Sequence, residues 1–242
     1  MSDASGTTPN SPSLRRRGPG SLGEALARAL ESNLRSDPGS SGLAEQTFLR
    51  WWLEKEGCLI SEADWNSWRF VTNHTLEHEV RFRERDGDRR AVKRTWPGSF
   101  GFVPEWNGST WVPRAASAAE YLHRLHLQNS VFGDDIRLEG GMAATGGPFI
   151  IGQPPGQFSL VISQPWLEAL HNADQFPTEA DIDSFMRGID FEPIAGSLYG
   201  WRSLDGTLIV LDAKPDNLIK TREGLLPFDV LLTETIPPTS DP

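Results

Sequence analysis

Residues 207–232, TLIVLDAKPDNLIKTREGLLPFDVLL, constrain the fold more than any other part of the chain. An apolar run at 208–211 ends on Asp212, and a second at 225–228 ends on Asp229. Short apolar runs bounded by turn residues read as strands, and Arg222-Glu223-Gly224 reads as the turn between them. The expectation is a hairpin-like unit, with run 208–211 beside run 225–228, that gathers Asp212, Asn217 and Asp229 at one end. Two carboxylates and a carboxamide at strand ends supply the oxygen ligands a divalent cation prefers, and such a cation suits a phosphate chain.

Upstream, residues 69–95 alternate like a β-meander. Val80 and Phe82 interleave with Glu79, Arg81 and Arg83, Asp86-Gly87 marks a turn, and Ala91-Val92-Lys93 returns. Alternation lets Lys93 point off the sheet into a cleft, although a solvated strand lysine is the plainer alternative. Trp96 to Gly101 then form a rigid loop. Residues 116–129 read as a helix with Tyr121, Leu122, Leu125 and Leu127 on its apolar side and Glu120 in its first turns. Strands are expected at 136–138, 149–151 and 158–163, the first two separated by Gly140-Gly141 and Gly146-Gly147-Pro148. Gln164-Pro165-Trp166 follows the last of these, and Thr178 caps a helix carrying Ile182, Phe185, Met186 and Ile189.

The N-terminal part has a different character. Residues 1–20 are rich in Ser, Gly, Pro and Thr with Arg15-Arg16-Arg17. They bury too little apolar area to offset roughly 1–2 kcal/mol of backbone entropy per residue, so a disordered tail is expected. Leu22, Leu26, Leu30 and Leu34 recur every four residues and predict a helix at 21–35 that docks on the body, with docking on a partner as the alternative. A second helix, 43–57, ended by Gly57, has Phe48, Trp51, Trp52 and Leu49 as its expected buried side. The domain organisation is therefore a tail (1–20), a helical extension (21–67), a β-rich unit (68–163) and a smaller unit (164–242). A net charge of −10 argues against nucleic-acid and anionic-membrane partners. The single Cys58 excludes an internal disulfide, and no apolar run approaches eighteen residues, so a cytoplasmic protein without a membrane span is expected. His74 and His78, four residues apart along extended chain, lie too far apart to share a metal, and His123 and His126 read as surface residues.

Asp212-Ala213-Lys214-Pro215-Asp216-Asn217 resembles the D-x-K-P-x-N catalytic loop of the protein-kinase-like superfamily. Asp229, twelve residues beyond Asn217, stands where that superfamily has the metal-binding Asp of D-F-G, and Ala91-Val92-Lys93 matches its A-x-K strand end. Residues 93–101 and 122–135 are similar to segments of the compact kinase-like domains of bacterial and phage polyvalent proteins. The resemblance implies an α+β, two-lobed kinase-like fold with a truncated C-terminal lobe and a helical N-terminal extension. It implies Mg²⁺ and ATP as cofactors and an unidentified protein or small-molecule acceptor. Lys93 would hold the α/β-phosphates with Glu120 as its ion-pair partner, Asn217 and Asp229 would hold Mg²⁺, and Asp212 would orient or deprotonate the attacking hydroxyl. Lys214 would neutralise the transferred phosphoryl group, and Gln164 to Trp166 would form the adenine-side hinge.

Val210-Leu211 replaces the usual H-R, Val230-Leu231 replaces Phe-Gly, and Asn73 to His78 stand where a glycine-rich loop belongs, with Glu77 set to repel a triphosphate. These departures keep open a non-catalytic, pseudokinase-like nucleotide-binding or protein-interaction module. Asp212-x-Lys214 alone also fits half of a metal-dependent nuclease core.

Overall fold

A computed structural model of the chain describes residues 21–36, 42–143, 157–170 and 176–235. Helices α1 (Ser21–Ser36), α2 (Gly42–Lys55) and α3 (Glu62–Ser67) come first. Strands β1 (Arg69–Thr72), β2 (His78–Arg85) and β3 (Asp88–Thr95) follow, then a hairpin of β4 (Phe102–Trp106) and β5 (Trp111–Ala115). Helix α4 (Ala118–Phe132) precedes β6 (Arg137–Ala143) and β7 (Phe158–Pro165). The last part runs through α5 (Glu179–Gly188), β8 (Phe191–Pro193), β9 (Trp201–Ser203), β10 (Leu208–Leu211) and a 3-10 turn, Pro215–Asn217. It ends with β11 (Leu218–Thr221), β12 (Gly224–Pro227) and β13 (Leu231–Glu234). The architecture is mixed α+β, with antiparallel sheets and few helices. Among the described residues no helix is long and apolar enough to cross a membrane.

One sheet has the order β1-β2-β3-β7-β6 and a second the order β13-β10-β9-β8. The expected meander is present: Asp86 and Gly87 both take positive φ (52° and 81°), as the tightest hairpin turns require. Period-two alternation then splits the first sheet into two faces. Val92 and Val161 meet Trp65 of α3 on one face. Leu160 and Ile162 meet Tyr121, Leu122 and Leu125 of α4 on the other, together with Leu26 and Leu30 of α1 and Leu49 and Leu53 of α2. The leucine-striped α1 thus docks on the body, against α4, α2 and β6. Trp51, expected on the buried side of α2, is instead exposed, because the buried stripe runs through Glu45, Leu49 and Leu53.

Several expectations are corrected. Run 208–211 pairs not with 225–228 but with β13, Leu211 opposite Leu231. Run 224–227 pairs back on β11 instead, as a small hairpin inserted between β10 and β13. Gly140-Gly141 does not separate strands: both lie inside β6, where a register shift lets Gly141 exchange hydrogen bonds with the 58–60 segment (Ile60 N to Gly141 O, 2.9 Å; Gly141 N to Cys58 O, 3.1 Å). The hairpin β4–β5 was not expected at all. Its turn is Asn107-Gly108-Ser109-Thr110, with Asn107 Oδ1 accepting from the Ser109 and Thr110 amides. Phe102 and Trp111 of this hairpin pack on Ile209, Leu211 and Leu231. The expected tail at 1–20, the strand at 149–151 and most of the 38–42 linker lie outside the described residues.

Helix α5 forms as expected, capped by Thr178 in a reciprocal box with Asp181. Its Ile182 and Met186 close a core with Phe191, Trp201, Val210, Leu218, Val230 and Leu232. Leu127 of α4 enters the same core, so α4 packs on both groups of strands.

Candidate functional site

Two strand ends and a one-turn helix build one side of the site. Asp212 follows β10 with φ 59°, a left-handed conformation that Asp tolerates better than most residues. Its carbonyl and its Oδ2 both accept from Asn217 Nδ2 at 2.8 Å, and Lys214 Nζ lies 3.2 Å from its Oδ1. Burial works against the Lys214 charge, but Asp212 outweighs it and raises the ammonium above its ordinary range. Asn217 is buried, and its carbonyl accepts from Phe228 N at 3.0 Å, one residue before Asp229. Asp212, Lys214, Asn217 and Asp229 therefore do share one end of a strand pair. The partner strand is β13, and the β11–β12 hairpin folds back to deliver Asp229.

Lys93 closes the site from the first sheet. It stands on β3 opposite Ile162 and Val80, on the face turned toward α4. The residue is buried, and its ammonium donates to Phe228 O at 2.9 Å. Among the described residues no carboxylate lies within 4 Å of it.

Glu120 does not pair with Lys93. It is the third residue of α4 and completes a capping box on Ser117, and Arg114 of β5 takes both its oxygens. The Arg114 hydrogen bonds, above all, hold its carboxyl at about 2. The buried polar side chains of α4 lie one and two turns further on, at Arg124 and Gln128, because the buried helix face passes through Tyr121, Arg124 and Gln128.

Arg124 pairs instead with Glu77. Its Nη1 and Nη2 reach the two Glu77 oxygens at 2.9 and 2.7 Å, and Nη1 also donates to Phe102 O. Burial alone raises the Glu77 carboxyl, but Arg124 overrides it and holds the group at about 2. Glu77, expected to repel a triphosphate, is thus neutralised and turned into the protein. Next to it His78 is buried, with Nε2 2.8 Å from the Tyr121 hydroxyl. Burial depresses this imidazole to about 4, so it is neutral at physiological pH. Single ligand atoms of Glu77, His78 and Asp229 lie within 4.8 Å of one another, a set that could hold a metal ion.

The third wall is polar. Gln164, opposite Ala91 on β7, is buried and donates to Asp134 Oδ2. Gln128 Nε2 donates to the same oxygen at 3.0 Å and lies 3.5 Å from Pro227 O. Burial raises the Asp134 carboxyl. Trp166, past the end of β7, donates its amide to Arg89 O, and its ring meets Phe82 edge-on at 4.9 Å. The Gln164 amide is thus spent on Asp134 and the Trp166 amide on Arg89.

His78, Arg124, Gln128 and Asp134 escaped sequence reasoning. His78 carried a signal, since it shares strand parity with Val80 and Phe82. Arg124 and Gln128 carried one too, each three residues beyond an apolar-side residue, Tyr121 and Leu125 respectively. No protein-family model, curated protein or solved structure matches the chain.

Proposed function

We propose that the chain is a two-lobed, kinase-like phosphotransferase that uses Mg²⁺ and ATP on a hydroxyl-bearing acceptor. The observation that carries this reading is the convergence of Lys93, Asp212, Asn217 and Asp229. They come from β3, from the segment after β10 and from the segment after β12, and they gather around Phe228: its carbonyl takes Lys93, its amide donates to Asn217 O, Asp229 follows it, and Asn217 holds Asp212. Lys93 also stands on the third strand of its sheet with a helix following, which is where kinase-type enzymes carry the phosphate-holding lysine.

The residues fit a hard divalent cation. Asn217 spends its amide nitrogen on Asp212, and among the described residues nothing donates to its Oδ1. Nor does any described residue donate a hydrogen bond to the Asp229 carboxylate. Asn217 Oδ1 and Asp229 would hold the metal, whose charge neutralises the phosphate chain when bound. Lys93 leaves Phe228 O to hold phosphate oxygens. Asp212, half-exposed beside Lys214, holds the acceptor hydroxyl and takes its proton at Oδ1 or Oδ2. Lys214 lies close enough to offset charge on the transferred group. Positioning and charge neutralisation dominate such a reaction, so four or five side chains suffice.

A second reading, a non-catalytic nucleotide-binding module, is favoured by the Lys93–Phe228 hydrogen bond and by the missing Lys93–Glu120 pair. Calorimetric titration of Mg·ATP into wild type, Asp229→Ala and Asp212→Asn separates the two. The enzyme reading expects binding by wild type and Asp212→Asn, loss of binding in Asp229→Ala, and ADP formation by wild type alone. Binding without turnover in every acceptor mixture supports the module. Absence of binding at millimolar nucleotide removes both readings.

A further inference from the structure

Two charges in the cleft are unmatched. Lys93 is a buried cation whose one hydrogen bond among the described residues is to a neutral carbonyl, Phe228 O, and whose ammonium lies 5.9 Å from the Phe228 ring centroid. Asp134 is a half-buried anion held by the amide of Gln164, the amide of Gln128 and its neighbour's backbone N–H, with no cation within 4 Å among the described residues. The other acids nearby are committed. Glu77 is taken by Arg124, and Asp229 is the proposed metal ligand. Lys93 and Asp134 also bracket the same dipeptide: Lys93 Nζ is on Phe228 O, and Gln128, which binds Asp134, reaches Pro227 O. A buried charge left unpaired is costly, so two opposite ones beside one dipeptide are complementary.

We propose that Asp134 is the positioning acid for Lys93 in this site, in the role for which Glu120 is misplaced. When phosphate draws Lys93 off Phe228 O, Asp134 holds the ammonium from behind and keeps it aimed at the phosphates. Gln164 and Gln128 fix the carboxylate in place. The proposal rests on the nucleotide-binding reading, but Lys93 already lowers the Asp134 carboxyl through space without nucleotide, so the coupling is tested both ways.

The first arm is a double-mutant cycle on the free protein, with Lys93→Met and Asp134→Asn in urea unfolding. The two are expected to be non-additive, by at least threefold in the unfolding constant. The pair Lys93→Met with Glu120→Gln is expected to be additive. The second arm measures Mg·ATP affinity. Asp134→Asn is expected to weaken it at least tenfold, Asp134→Glu to restore most of it, and Glu120→Gln to leave it within twofold. If Asp134→Asn does not fold, Asp134→Ser, which still accepts from the two amides, takes its place. Additivity in the first arm, or wild-type affinity in Asp134→Asn, overturns the proposal. Non-additivity in a protein that binds no nucleotide overturns the nucleotide reading and leaves the coupling of the two charges standing.

Discussion

At the scale of single residues, the chemistry of the cleft is set by what burial does to ionisable groups. His78 titrates at about 4 when folded, well below its ordinary value of 6.5, because burial disfavours the imidazolium. The unfolded chain therefore binds the proton more readily than the folded one. The His78 contribution is complete above pH 6.5 and is lost as pH falls toward 4, by on the order of 3 kcal/mol. Urea unfolding across that window, compared between wild type and His78→Gln, reads it as the difference in slope. An equal slope in the two proteins refutes it. Glu77 has the same sign but a lower window, since its carboxyl is depressed from 4.5 to about 2 by Arg124. The buried Glu77–Arg124 pair predicts a second result. Arg124→Met should destabilise by about 3–5 kcal/mol, because it strands a buried carboxylate. The double variant Glu77→Leu with Arg124→Met should cost less than Arg124→Met alone. A double variant costing the sum of the two singles would deny the pairing.

At the scale of elements, glycines and turn residues decide what periodicity cannot. Gly140 has φ 153°, and a Cβ built there would meet Cys58 O at 2.0 Å. Gly140→Ala is therefore expected to push the 58–60 segment off β6 and to lower stability by about 2 kcal/mol or more. Hydrogen exchange at the amides of Ile60 and Gly141 checks it, since both should lose protection together. The elements with clean alternation or a cap were legible in the sequence: β2 and β3 around Asp86-Gly87, α4, and α5 behind Thr178. The β4–β5 hairpin was equally legible in principle, because Asn107-Gly108 is a strong two-strand signal. Pro104 and Pro113 obscured it by interrupting the apolar pattern of both strands. The pairing of β10 was not legible. Leu208–Leu211 is apolar on both faces, and nothing local to it chooses between the run at 225 and the run at 231. The choice is made by the β11–β12 hairpin, which uses up the nearer run. Asp212, Asn217 and Asp229 nevertheless come together at one end, because a strand pair and an inserted hairpin bring the same three residues there. Glu120 was misplaced for a helical reason. Its value as a cap, accepting from Ser117 N at 2.9 Å, holds it at the start of α4, away from β3.

At the scale of the whole molecule, the cleft joins two groups of strands that have separate cores, one around Leu160 and Tyr121 and one around Val210 and Met186. Helix α4 belongs to both, so motion between the groups must repack Leu127. A ligand that binds only the assembled cleft stabilises the entire fold by mass action. Mg·ATP at a hundred times its Kd should add about 2.7 kcal/mol to the unfolding free energy. Differential scanning calorimetry should show a rise in Tm for wild type and none for Asp229→Ala. A rise of equal size in Asp229→Ala would place the nucleotide elsewhere.

The hydrogen bond from Lys93 to Phe228 O joins positions 135 apart along the chain. Contacts of such long sequence separation pay their loop-closure entropy before they return anything, and they form late. The β2–β3 and β11–β12 hairpins are local by comparison and can form early. The cleft is therefore expected to be the last region to acquire its order as the polypeptide refolds. A destabilised variant would then lose its ligand-binding competence while most of its backbone protection persists.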